Sequence, residues 1–466
     1  MIKKILLLLL IVPFISCDNS KEKEETYAWV GGEIVNPKFD YVVIFRESKV
    51  IDTVKLDQNN NFLYKIEGLC EGLYALRHYE YQLMYLKPGD SLMLRLNTIE
   101  FDESLSFTGK GAAANNLLME YFLLNDTEHS MLSKWYGLAP EAFEKKLDSF
   151  RTIKIDAFND FASKHKPTRE FRDIAYANID YDHFLKKEIY ASVHSIRNNT
   201  DNINYPDNFF DHRKNIDFGN ESLRSYFPYY RFLNKYFDNL AFDKYISTNP
   251  NNRYLSEHFY NKVKIIDSLV TNDSLKNNLL RTNVGRFLLN GKDLENSKPL
   301  VDLFLELNTN KAHLIEIESL SKATSVLLPG SELPNILLVD TKNMAKDIHS
   351  IINRPTVLYF WTAASVKHYR SIHAKAAELA AKYPEYEFIG INTDTHFKKW
   401  RNTVELADYN SLNEYQFDNV AIAERKLVIN SMNKAMIVDK DAIIIQNNTS
   451  LFNKSIETEL LSYLNQ

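Results

Sequence analysis

Cysteine is almost missing from this chain: Cys17 and Cys70 are its only two. No Cys-x-x-Cys pair exists, so the thiolate that drives disulfide exchange has no partner within one site. Charge of one sign is also lacking, with 56 Lys and Arg against 61 Asp and Glu and a net charge of −5. Without a basic stripe, nucleic acid is not an expected partner. Glycine is sparse at 13 residues, and nothing resembles a phosphate-cradling glycine loop or a zinc-binding HExxH. The apolar run at Ile5–Ile15 falls short of the roughly twenty residues a bilayer span needs.

What is present is ordinary globular material. Hydrophobic residues at 45% and charged residues at 25% allow sizeable cores, and 466 residues are too many for one core. The 27 Tyr and 28 Phe fall mostly in helical-looking stretches, as aromatic packing between helices requires. At the N-terminus, Lys3 and Lys4 precede the apolar run, and Ser16 precedes Cys17. That order reads as a secretory leader over residues 1–16. "FIS" followed by Cys17 resembles the lipobox of bacterial lipoproteins, which implies cleavage before Cys17 and acylation of that residue. The charged run "DNSKEKEE" within residues 17–26 reads as a tether. Its position resembles the surface-export signal of Bacteroidetes-type lipoproteins. The resemblance implies the cell envelope, at the outer membrane, with attachment through Cys17. Cys70 is then the single remaining thiol, expected to pack inertly at a loop or strand edge.

Along the chain the hydrophobic period changes twice. Over residues 27–110, short segments such as "YAWVGGEIV", "YVVIFRE", "LYALRHY" and "SLMLRL" alternate with breaks such as "NPKFD" and "KPGD". They predict an all-β, sandwich-like domain. Over residues 111–328, apolar residues recur every three or four positions, which predicts a helical middle domain. After Pro329, Gly330 and Pro334, residues 329–466 alternate strand, helix, strand, helix, hairpin and helix, an α/β order.

Several pieces of that last region, "PGSELPNILLVD", "PTVLYFW", "FIGINTD" and "MIVDKDAIII", together resemble TlpA-like thioredoxin lipoproteins of the Bacteroidetes type. "GGEIVNP", "LDQNNNF", "YLKPGDSLML" and "FTGKGAAANN" resemble the β-rich domain that often precedes such modules. The resemblance implies a thioredoxin-like C-terminal domain, and it places Ser365 and His368 on the two cysteine positions. It also places Asn433 where the family keeps a cis proline. A non-proline cis bond costs about 3–4 kcal/mol, so Met432–Asn433 is expected to be trans.

A serine hydroxyl stays protonated at a helix start, and Ser365 is expected to cap the helix by accepting from the N–H of Lys367 or His368. Ser365 and His368 share a helix face, yet a nucleophile also needs an orienting carboxylate and an oxyanion pocket, and neither is visible. His368 and His373 are spaced poorly for joint metal ligation; with His349 and His396 they are expected to be ordinary histidines, with no metal or other cofactor.

The expected function is binding of envelope proteins or peptides by a redox-inactive domain, through a cleft at Trp361, Ser365, Met432 and Asn433. The alternative is a thiol–disulfide oxidoreductase working through Cys70 and an external thiol, and a purely structural lipoprotein is a third class. Oligomeric state is left open.

Overall fold

The structure is a computed structural model and describes residues 26–47, 49–197, 204–244, 253–409 and 413–464. The expected leader, Cys17 and all of the tether except Thr26 lie outside the described residues. Among those described, no helix is long and apolar enough to cross a membrane. The chain forms two compact units, one ending at Asp180 and the other beginning at Tyr181.

In the first unit, eight strands make two four-stranded sheets. One has β1 (Tyr27–Val35) between β4 (Asn61–Glu67) and β7 (Ser91–Asn97), with β8 (Ser106–Lys110) at its edge. The other runs β3 (Lys49–Lys55), β2 (Tyr41–Arg46), β5 (Gly72–His78), β6 (Glu80–Leu86). Alternate residues point inward, as in β7, where Leu92, Leu94 and Leu96 are buried. They share one core with Ile44, Leu76 and Met84 of the facing sheet, which makes the sandwich. A short helix, α1 (Phe101–Ser104), is an addition to the predicted elements. Met119 of α2 (Ala112–Trp135) packs on this core. Two further helices follow, α3 (Pro140–His165) and α4 (Arg169–Arg197), and the unit boundary falls within α4.

The second unit contains α5 (Phe227–Lys244), α6 (Ser256–Leu269), α7 (Asp273–Asn290), α8 (Lys298–Leu307) and α9 (Lys311–Ser325). Asn272 and Asn310 cap α7 and α9 by accepting first-turn N–H groups. The C-terminal region of this unit carries a seven-stranded sheet. Its elements are β9 (Leu337–Val339), β10 (Ala345–Asp347), β11 (Thr356–Trp361), α10 (Val366–Lys382), β12 (Glu387–Asn392) and α11 (Phe397–Leu406). They continue as β13 (Glu414–Phe417), α12 (Val420–Leu427), β14 (Ala435–Val438), β15 (Ile444–Thr449) and α13 (Ile456–Leu464). The strand order is β10-β9-β13-β12-β11-β14-β15. β11 is an interior strand, parallel to β12 and antiparallel to β14.

Every residue of β11 is buried because both faces of the sheet are covered. Leu358 and Phe360 join one core with Ile389, Ile391 and Met436. Val357, Tyr359 and Trp361 join the other, against Ile372 and Leu379 of α10, Trp400 of α11 and Leu460 of α13. This explains a strand that reads as an unbroken apolar run.

Candidate functional site

Beyond Trp361 the chain must leave the sheet and start α10, which exposes several backbone N–H groups. Asp394, just past β12, meets two of the turn's donors: its Oδ2 accepts from Ala363 N at 2.6 Å and its Oδ1 from the Thr362 hydroxyl at 2.5 Å. Thr362 Oγ1 accepts from Ala364 N at 3.1 Å. Asn392 donates to Asp394 and accepts from Gln416 of β13, so three elements brace the turn.

Ser365 does occupy the N-cap position of α10, with φ −112° and ψ 90°, but its hydroxyl makes no cap bond. The expected side-chain cap is therefore not made; the Ser365 carbonyl accepts from Tyr369 N at 3.0 Å, the first bond of the helix ladder, and the N–H groups of the first turn gain nothing from it. Val366 and Lys367 are exposed, so hydration of the first-turn N–H groups competes with the hydroxyl.

One turn on, His368 reaches across to the loop before β14. Its Nε2 lies 3.0 Å from Asn433 Oδ1, and an amide oxygen only accepts, so the ring donates. Nδ1 is buried without a hydrogen-bond partner. No hydrogen bond joins His368 to Ser365, so the pair lacks the nucleophile–base contact that hydrolysis requires. Met432–Asn433 is trans, like every peptide bond among the described residues.

The loop is held from below by Lys434. This buried ammonium donates to the Leu427 and Val428 carbonyls at 2.7 and 2.9 Å, covering the C-terminal end of α12. Burial pushes its pKa down to about 8. Met432 is half-buried with Sδ 3.5 Å from the Thr393 hydroxyl, while Ser365 and Asn433 are exposed.

Trp361 departs from its expected place. It is fully buried, and its indole N–H donates to Glu414 Oε2 at 3.0 Å. It supports the cleft from beneath and offers it no surface, because the β11 register turns its side chain into the α10 core.

Under the tip lies a cluster the sequence reading did not single out. Glu414 of β13 accepts from Tyr359 OH at 3.1 Å as well as from Trp361, and its Oε1 lies 3.0 Å from His373 Nε2. The other ring nitrogen, His373 Nδ1, faces the Tyr369 carbonyl at 2.7 Å. A carbonyl only accepts, so Nδ1 donates to it. Tyr409 stacks on His373 at 3.7 Å with the rings 5° apart. Burial, followed by the neighbouring Glu414, holds the Tyr359 phenol well above its ordinary range. Gly390 gives the carboxylate its room: a Cβ there would lie 2.4 Å from Glu414 Oε1.

The four histidines weighed as metal ligands are dispersed. His373 turns inward to Glu414, His368 bonds to Asn433, His349 contacts the Leu333 carbonyl, and His396 precedes α11. Among the described residues no group of three or more His, Cys, Asp or Glu gathers as a metal site would. Cys70 is exposed, contrary to inert packing; its neighbour Leu69 fills the core instead.

Parallel β11, β12 and β13, the antiparallel β14–β15 hairpin and the flanking helices make this a thioredoxin-like fold. No family model and no curated protein sequence matches the chain. Among solved structures, it is similar to a thioredoxin-like protein from Bacteroides caccae, at 12% identity and a TM-score of 0.37, over 59% of this chain and 94% of that one. It is also similar to the thioredoxin domain of a thiol-disulfide oxidoreductase from Bacteroides vulgatus, at 17% identity and a TM-score of 0.25, over 30% and 96% of the two chains. A thiol:disulfide interchange protein from Bacteroides sp. matches at 15% identity and a TM-score of 0.25, over 30% and 90%. Similarity at this level says nothing of activity.

Proposed function

We propose that the chain is a lipid-anchored envelope protein of the TlpA-like type, tied to the outer membrane through Cys17, whose thioredoxin-like domain binds a partner protein or peptide without exchanging disulfides. The observation that carries this reading is the His368–Asn433 hydrogen bond. Of the two groups that stand where the family resemblance puts reactive ones, His368 is engaged with Asn433 and Ser365 is exposed, and neither carries sulfur. Thiol exchange needs a thiolate, and a hydroxyl and an imidazole supply none. The exposed rim of Ser365, Asn433 and half-buried Met432 is the surface offered to an extended chain.

A second reading has one observation in its favour: Cys70 is exposed, as a thiol acting with an external partner would have to be. Insulin reduction by the chain lacking residues 1–17 separates the two. Binding without exchange predicts no turnover. Turnover that disappears in Cys70→Ser supports the second reading, and turnover that survives it defeats both. Capture from detergent-solubilised envelopes, comparing the parent with a Met432→Ala, Asn433→Ala double variant, tests the rim. Partners retained equally by both would remove the cleft from the proposal.

A further inference from the structure

The first unit holds a cavity of about 300 Å³. At about 30 Å³ per water it has room for roughly ten. One wall is aromatic: the ring centroids of Tyr85 and Phe171 lie 4.8 Å apart, and those of Phe161 and Phe171 5.2 Å. Thr168 and the Tyr85 hydroxyl both donate to Glu71, which fixes that wall to the sandwich.

The opposite side is the start of α2. Asn115 clamps it to β6 by exchanging hydrogen bonds with the Tyr85 backbone, both at 2.8 Å. Gly111 stands at the N-cap with φ +100° and supplies no side chain, so the first turn, which includes Ala113 and Ala114, has no side-chain cap. That end of a helix carries partial positive charge. Lys87 and Lys110 line the same cavity.

Between the two sides sits Asp90, 1% exposed. Its Oδ2 accepts from Lys87 N at 3.0 Å and closes the Lys87–Asp90 turn, but its Oδ1 is buried without a hydrogen-bond partner. A Cβ on Gly111 would stand 2.8 Å from this carboxylate, so the glycine lets the backbone lie against it. Burial raises the Asp90 pKa, and Lys87 and Lys110 act against that rise. A buried carboxylate oxygen without a donor is costly, and a ligand that brings one recovers the cost.

We propose that this cavity binds a free α-amino acid with an apolar side chain. Its ammonium meets Asp90 Oδ1, its carboxylate meets the first turn of α2 beside Lys87 and Lys110, and its side chain lies against Phe161 and Phe171. A small zwitterion answers all three features at once: the orphan acceptor, the uncapped helix start with its lysines, and the aromatic wall. A simple amine leaves the helix start unanswered, and a simple carboxylate leaves Asp90 so.

Isothermal titration of the whole protein in detergent with L-phenylalanine and L-leucine tests this, with phenethylamine and 3-phenylpropionate as comparators. Saturable binding of at least one amino acid is expected, with both comparators weaker by about tenfold or more. Asp90→Asn, which keeps an acceptor for Lys87 N, should weaken the amino acid by about tenfold and leave 3-phenylpropionate unchanged. Lys110→Met, at an exposed position, should shift preference toward phenethylamine and carries the test where the Asp90 variant fails to fold. No saturable heat with either amino acid, phenethylamine binding as tightly as L-phenylalanine, or identical affinities in parent and variants would each overturn the proposal.

Discussion

The tip of α10 and the layer directly beneath it belong to one site, yet they are built by opposite rules. At the tip, Ser365 makes no side-chain cap and His368 holds Asn433 through a single 3.0 Å contact. Beneath, Glu414 gathers Tyr359, Trp361 and His373 within 3.1 Å, all four buried. Polar groups at a surface exchange with water at little cost, whereas a buried carboxylate must find its donors inside the fold. The tip is therefore free to change chemistry while the floor is not.

The sharpest way to break this contrast is Glu414→Ala, which leaves Tyr359, Trp361 and His373 without their shared partner and should cost about 3–5 kcal/mol in urea unfolding. Gly390→Ala attacks the same floor from the neighbouring strand. Glu414 is pinned by three partners and cannot swing aside, so a loss of about 1–3 kcal/mol is expected by the same measurement.

Lys434, next to Asn433 of the tip, is buried against the end of α12. The unfolded chain keeps this proton up to about pH 10.5, whereas the folded chain releases it above about pH 8. In that window the unfolded state binds more protons, so stability rises with pH, by up to about 1.4 kcal/mol per unit. Lys262 of α6, also pushed down to about 8 by burial, contributes in the same direction. Urea titrations between pH 8 and 10 should show the rise in the parent and a flatter profile in Lys434→Met. Above pH 10 the raised phenols, such as Tyr359, oppose it.

Smaller effects are expected at the tip. A double-mutant cycle on His368→Ala and Asn433→Ala should return a coupling of about 0.5 kcal/mol, discounted for exposure. Ser365→Ala should change stability by less than about 0.5 kcal/mol, where a working N-cap would lose about 1 kcal/mol. A tip variant as damaging as Glu414→Ala would erase the distinction between the layers.

Elements with a strong apolar period were legible from sequence. β1, β7 and β11 stand where the segments "YAWVGGEIV", "SLMLRL" and "TVLYFW" predict strands, and the helical period of residues 111–328 appears as α2 to α9. β13 was not legible, because "EYQF" turns Glu414 and Gln416 inward and so lacks the apolar alternation that marks a strand. The four-residue helix α1 and the three-residue strand β10 are too short to establish a period. At the site, Ser365, His368 and Asn433 were found by their places in a resembled pattern, and His368 and Asn433 do meet. Glu414, Asp394 and Lys434 escaped because their roles depend on long-range burial; one available signal was a carboxylate and an amide two residues apart beside aromatic residues in "NEYQFD". Sequence points to Trp361 as a contact surface because it shows an aromatic residue but not the direction its ring takes.

The bare backbone at Gly390 has a hereditary consequence. It is the complement of an acid on the adjoining strand, so position 390 cannot gain a side chain while Glu414 stays. Descendants that trade Glu414 for a small apolar residue would be released to grow a methyl or larger group at Gly390, and would then be barred from regaining the acid. Paired exchange at these two places, seen across related genomes, would mark the lineages in which the polar floor has been dismantled.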